Sequence, residues 1–226
     1  MIFDLADTIA ELDPSPEQII FGYIKQKYFI DLDKTEIRKS LIFLSNIFHF
    51  SSVKIKDELT KKEFYLNFNT HLLNMIGVSH ICSPDELFNH LSKKKSHWVL
   101  KRGAYELLKD LKNKKFELAL ISNFNFKEAI RILKRLKIES LFDYLHISEK
   151  ESLEKPNIEF YNKFFVKNKI LKKDCLYIGD SYTLDFIPSN KINLSFILLD
   201  EYNLFNTIKN RINNINQLPN YLEKDT

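Results

Sequence analysis

A chain of 226 residues, 44% of them hydrophobic and 28% charged, is long enough for one large domain or for a core domain carrying a smaller insertion. Its formal net charge of +4 is spread over interleaved lysines and acids, as at Lys109, Lys112, Lys114 and Lys115, which reads as solvated helix faces and argues against a nucleic-acid partner. No apolar run approaches the roughly 20 residues of a membrane span, and no basic segment followed by an apolar stretch opens the chain. A cytoplasmic protein is therefore expected, with its two distant cysteines, Cys82 and Cys175, kept as thiols.

In chain order, the first element is the apolar run MIF, a short strand ending at Asp4. Residues 14–98 then fall into helical patterns: PEQIIFGYIKQKYF, DKTEIRKSLIFLSNIF and KKEFYLNFNTHLLNMI. Asp33 or Thr35 suits the start of the second of these, and no buried strand is expected in the stretch. Trp98 marks the return to the core near Lys101. The helix GAYELLKDLKNK follows, then the strand ELALI before Ser122. Next comes the helix FKEAIRILKRLK, with Ala129, Ile130, Leu133 and Leu136 on one face, and then the strand YLHIS. Lys155-Pro156 stands at a loop-to-helix boundary, Pro156 being suited to the first turn of the helix PNIEFYNKFFVKNK. The strands CLYI, with Cys175 packed in it, and SFILL end before Gly179-Asp180 and Asp200. Alternating strands and helices predict a doubly wound α/β fold with a parallel sheet, residues 1–13 and 99–226, and an inserted all-helical domain, residues 14–98.

In such a sheet ligands gather at the carboxyl ends of the strands. Those ends deliver Asp4, Ser122 with Asn123, and Asp180 with Asp185 just beyond, and Lys155 precedes the helix between the last two. Clustered carboxylates repel one another unless a cation joins them, and hard oxygen ligands suit Mg²⁺. A carboxylate beside Mg²⁺ and a lysine can attack a phosphoryl group, because both cations offset the charge on its oxygens. His49, His71, His80, His90, His97 and His146 show no metal-ligand spacing and are expected in solvated or core roles.

The set FDLADT, ISN, EKP and GDSYTLD, in this order and each at a strand end, closely resembles the haloacid dehalogenase superfamily, whose members are mostly phosphohydrolases. The helical insertion matches that family's cap, placed after its first motif. The resemblance implies that Asp4 is the nucleophile, forming an aspartyl-phosphate, and also a Mg²⁺ ligand. It implies that Ser122 binds the transferring phosphoryl group with the Asn123 backbone nearby, and that Lys155 neutralises charge between nucleophile and phosphate. Asp180 would bind Mg²⁺ directly or through water, Asp185 would support the same shell, and the backbone carbonyl of Ala6 would be a further ligand. A small phosphorylated metabolite is the implied partner, with no nucleic acid or membrane, and the protein a monomer or homodimer.

One position departs from the family. Its pattern places a second aspartate two residues after the nucleophile, to protonate the leaving group and then activate water; here that residue is Ala6, and the usual glycine after it is Asp7. General acid–base help is worth about 10²- to 10⁴-fold in rate. Three readings follow. In the first, a phosphohydrolase remains and Asp7, a cap residue or a good leaving group covers the loss; Asp7, one residue out of register, points elsewhere unless the loop is rebuilt. In the second, the chain resembles the phosphonoacetaldehyde hydrolases, which also carry alanine there and use a cap lysine as a Schiff base. Lys25, Lys27 and Lys39 lie in that part of the insertion, while Asp7 and Lys155 depart from that subfamily's glycine and arginine. In the third, the protein is a catalytically impaired relative that binds a ligand or a partner, a reading opposed by the retained metal and phosphate positions.

Overall fold

The computed structural model describes residues 1–50 and 58–224. The chain divides into two compact units, Met1–Glu11 with Trp98–Thr226, and Leu12–His97. In chain order, β1 (Ile2–Phe3) ends just before Asp4, and β2 (Ala10–Asp13) follows a tight loop. The helices α1 (Pro16–Tyr28), α2 (Lys34–Phe50), α3 (Glu58–Met75) and α4 (Pro84–Leu91) form the second unit. β3 (His97–Leu100) makes a two-stranded sheet with β2. The first unit continues through α5 (Ala104–Asn113), β4 (Ala119–Ser122), α6 (Phe126–Arg135), β5 (Tyr144–Ile147), the single turn α7 (Ser148–Glu151) and α8 (Ile158–Asn168). It ends with β6 (Leu176–Gly179), a π-turn at Tyr182–Phe186 running into α9 (Ile187–Lys191), β7 (Ser195–Leu199), β8 (Arg211–Ile212) and α10 (Leu218–Lys224).

The main sheet has six strands in the order β5-β4-β1-β6-β7-β8, every neighbouring pair parallel. Successive residues of a strand face opposite sides, and here both sides are buried. Phe3, Leu120, Ile178 and Ile197 join one apolar cluster with Leu107, Leu108 and Leu111 of α5 and Ala129, Ile132 and Leu133 of α6. Ile2, Ile121, Tyr177 and Phe196 join the other, with Phe160, Phe164 and Phe165 of α8. This explains why the strands read as continuous apolar runs. On α6 the buried face is Ala129, Ile132 and Leu133, and Ile130 is only half-buried, so Ile132 takes the place that the sequence assigned to Ile130. The i, i+3, i+4 spacing of the three accounts for the difference.

Pro156 is not in a first helical turn. α8 begins at Ile158, with the Asn157 side chain accepting the Glu159 N–H at 2.9 Å, and Pro156 sits in the turn before it. Cys175 precedes β6 rather than lying within it, half-buried against the second cluster. The two cysteines carry free thiols. β2, β3, β8, α4 and α10 were not expected, being too short or too polar for their periodicity to stand out. The second unit has its own core, including Ile20, Ile24, Ile37, Leu44, Leu72 and Leu87. Of the two suggested caps of α2, Asp33 is the one used: its carboxylate accepts the Thr35 N–H at 2.7 Å. No helix among the described residues is long and apolar enough to cross a membrane. The side chain of His49 lies outside the described residues.

His146 has a core role on β5. Its Nε2 lies 2.8 Å from the Phe160 carbonyl, its ring packs on Phe160 and Phe164, and Nδ1 is 3.6 Å from the buried Glu151 carboxylate. Burial pushes the imidazole below its ordinary 6.5, against the pull of Glu151. The unfolded chain therefore takes up this proton first as pH falls. Below about pH 6.5 His146 is expected to cost stability with a slope of at most about 1.4 kcal/mol per pH unit. Denaturant titrations of wild type and His146→Gln between pH 5 and 7.5 check this: the variant is expected to lose that part of the slope.

Candidate active site

β4, β1 and β6 lie side by side at the centre of the sheet, so their carboxyl ends bring Ser122, Asp4 and Asp180 to one edge, where the strand order reverses direction around β1. Asp4 follows directly on β1; its N–H donates to the Ile178 carbonyl at 3.0 Å, and the residue is 6% exposed. After it the backbone folds back on itself: Ile9 and Ala10 both donate to the Leu5 carbonyl, Asp7 N–H donates to the Ala10 carbonyl at 2.7 Å, and Ala6 bridges to Ala10. Asp7 takes a left-handed conformation, φ 56°, which an aspartate tolerates better than most side chains.

Lys155 arrives from the turn before α8. Asn123 fixes that turn with both ends of its amide: Oδ1 accepts the Lys155 N–H at 2.8 Å and Nδ2 donates to the Lys155 carbonyl at 3.0 Å. The ammonium is buried and donates to Asp4 Oδ1 at 2.6 Å, Asp185 Oδ1 at 2.7 Å and Tyr177 Oη at 3.0 Å. An ammonium has three protons, so all three are committed. Asp185 also accepts from the Tyr177 hydroxyl at 2.5 Å and, through Oδ2, from the Ser181 N–H at 3.1 Å. A Cβ on Gly179 would stand 2.5 Å from Asp185 Oδ2, which is why the residue before Asp180 has no side chain. Thr8 is fully buried and donates its hydroxyl to Asp180 Oδ1 at 3.0 Å.

Burial pushes the Asp4 carboxyl up to about 6, Lys155 pulling it down and Asp185 adding to the rise. Asp180 is raised well above the usual carboxylate range, by burial first and then by the charges of Asp7, Asp4 and Asp185. Burial alone would lower the Lys155 ammonium, but Asp185 and Asp4 outweigh it and raise it. Asp4, Asp180 and Asp185 each offer an oxygen within 4.8 Å of the others. Three carboxylates, with Asp7 near enough to be felt, face one lysine, so the cluster is short of positive charge. That shortage and the all-oxygen donor set fit a hard divalent cation such as Mg²⁺.

Lys155→Met leaves Asp4 and Asp185 buried without their cation. Loss of about 3 to 5 kcal/mol of stability is expected in chelator-treated protein, checked by urea unfolding.

Of the residues singled out in the sequence, Lys155 bonds Asp4 and Asp185 directly, and Asp180 offers an oxygen within 4.8 Å of both carboxylates. Ser122 is buried at the end of β4, next to β1. The Asn123 side chain is occupied with the Lys155 backbone, so only its main chain remains for a ligand. Asp7 stands in the left-handed conformation in the loop after β1, and its charge adds to the rise of the Asp180 carboxyl. Tyr177 was missed: in the sequence it is one apolar residue among the four of β6, and nothing there shows where its hydroxyl points.

Comparison with known proteins bears on the fold and the family. A frog (Xenopus laevis) haloacid dehalogenase-like hydrolase domain-containing protein 3 is 21% identical over 153 residues, 66% of this chain; the chain spans only 62% of that protein's length. The magnesium-bound HAD-hydrolase YfnB of Bacillus subtilis superposes with a TM-score of 0.61 at 19% identity, covering 98% of this chain and 97% of that one. A predicted phosphoglycolate phosphatase of Haemophilus somnus gives 0.60 at 15% identity, covering 98% and 96%. At these identities the structures establish the shared fold. The family pattern of the haloacid dehalogenase-like hydrolases matches residues 1–199, and the chain belongs to that family.

Proposed function

We propose that the chain is a Mg²⁺-dependent phosphohydrolase acting on a small phosphorylated metabolite, with Asp4 as nucleophile. The observation that carries this reading is the buried contact of Asp4 and Asp185 with Lys155, with Asp180 within 4.8 Å of both carboxylates, a fixed nucleophile in a cluster short of positive charge. Asp4, the Ala6 carbonyl, Asp180 and Asp185 would hold Mg²⁺, which when bound supplies positive charge to the phosphoryl oxygens. The Asp4 carboxylate attacks phosphorus, the P–O bond to the leaving group breaks, the alkoxide or aryloxide takes its proton from solvent, and water then hydrolyses the aspartyl-phosphate. Lys155 acts on Asp4, holding it ionised and oriented, since its protons are already taken. Ser122 receives a phosphoryl oxygen, and the inserted helical unit takes the family's cap role of choosing the substrate.

Ala6 leaves the leaving-group proton without its usual carrier, so turnover favours substrates whose alcohol leaves unaided. A lysine Schiff base is disfavoured by the state of the three lysines in question. Lys25 pairs with Asp31 at 3.0 Å, Lys27 with Glu86, and Lys39 with Glu36 at 2.8 Å. Hydrogen bonds donated to Glu86 and Glu36 raise Lys27 and Lys39, whereas imine formation needs a neutral amine.

The test is phosphate release from a panel of aryl and alkyl phosphates, with Mg²⁺ and with EDTA. Mg²⁺-dependent release is expected, fastest on aryl phosphates. No release from any member overturns the reading, as does halide release from a 2-haloacid or a borohydride-trapped lysine adduct with phosphonoacetaldehyde.

A further inference from the structure

Tyr177 lies in the middle of β6, fully buried, its ring 6.2 Å from that of Tyr161 and 5.3 Å from that of Phe196. A phenylalanine would fill this aromatic layer equally well, so packing does not explain the hydroxyl. A buried hydroxyl is costly unless it is bonded. This one accepts a proton of the Lys155 ammonium at 3.0 Å and donates its own to Asp185 Oδ1 at 2.5 Å. Without it, Lys155 has two acceptors, Asp4 Oδ1 and Asp185 Oδ1, and one unsatisfied N–H. Two acceptors leave the ammonium free to pivot about the line joining them; a third, off that line, fixes it. We propose that Tyr177 is a positioning residue, whose hydroxyl takes the third proton of Lys155 and so holds the ammonium against the nucleophile Asp4. Its kinetic consequence rests on the phosphohydrolase reading; its structural content does not.

Two measurements decide it. The first is a double-mutant cycle on phosphate release with Tyr177→Phe and Lys155→Met. Tyr177→Phe alone is expected to lower kcat by about 10- to 100-fold, the worth of a hydrogen bond to a charged group, with KM nearly unchanged. In the Lys155→Met background the same change is expected to alter kcat by less than about twofold. Equal losses in both backgrounds would show a packing effect and overturn the proposal.

The second measurement needs no turnover. In ¹⁵N-lysine-labelled protein, the Lys155 ammonium, assigned by its absence from Lys155→Met, is expected to exchange slowly and to show a nuclear Overhauser effect to the Tyr177 ring. In Tyr177→Phe its protons are expected to exchange at least about 10-fold faster. Unchanged exchange, or no Overhauser effect in wild type, overturns the proposal. If Tyr177→Phe does not fold, the wild-type Overhauser effect decides alone. A wild type that releases no phosphate removes the phosphohydrolase reading and leaves this second measurement standing.

Discussion

Asp4→Asn is expected to abolish phosphate release, by at least about 10⁴-fold, and at the same time to make the metal-free protein more stable. The two outcomes share one cause. Asp4 titrates near 6 in the fold against 3.8 in the unfolded chain, a shift that already includes the attraction of Lys155. Between those values the folded protein binds the proton more readily, so stability falls as pH rises from about 4 to 6 and stays low above. The carboxylate thereby costs on the order of 2 to 3 kcal/mol at neutral pH, which the neutral isostere recovers. Thermal melts in EDTA across pH 4 to 8 check this: the variant should melt higher at pH 7.5 and lose the slope below pH 6. A lower melting point for the variant at pH 7.5 would mean that Lys155 needs the Asp4 charge more than burial penalises it. A group that weakens the fold and is indispensable to turnover is what a reactive centre requires.

Ala6→Asp is expected to raise kcat on alkyl phosphates by about 10²- to 10⁴-fold and to leave aryl phosphates nearly unchanged. An alkoxide is a poor leaving group and gains from a proton, whereas an aryloxide leaves without one. The substitution adds a carboxylate where the chain has a half-buried alanine bridged to Ala10, while the main-chain carbonyl stays in place. The ratio of alkyl to aryl rates in wild type and variant is the measurement. Equal gains on both classes would point to metal affinity rather than proton transfer, and no gain would mean that another group, with Asp7 the nearest in sequence, already serves. Asp7→Asn distinguishes that last case, since it would then lower the alkyl rate in wild type.

The α/β core was legible because a parallel sheet buried on both faces leaves apolar runs, and the candidate site residues stand at the ends of those runs. Asp4, Ser122 and Asp180 were found this way. What the sequence hid is side-chain direction over long separations. Tyr177 and Lys155 are 22 residues apart, and no periodicity links a strand residue to a loop lysine. Asn123 was read for its backbone, yet its amide is used to hold a turn 32 residues away. Short elements such as β2 and β8 fall below the length at which alternation can be recognised.

The position of β1 also sets an order of events in the life of the chain. Ile2 pairs with Ala119 and Tyr177, and Asp4 meets Lys155 across 151 residues of sequence, so Ile2 waits for residue 119 and Asp4 for residue 155 before these contacts can form. At the usual pace of synthesis, about 5 to 20 residues per second, β1 waits roughly 6 to 25 s for its first partner strand. Asp4, the proposed nucleophile, thus acquires its lysine partner only after the 151 residues that separate them have been made.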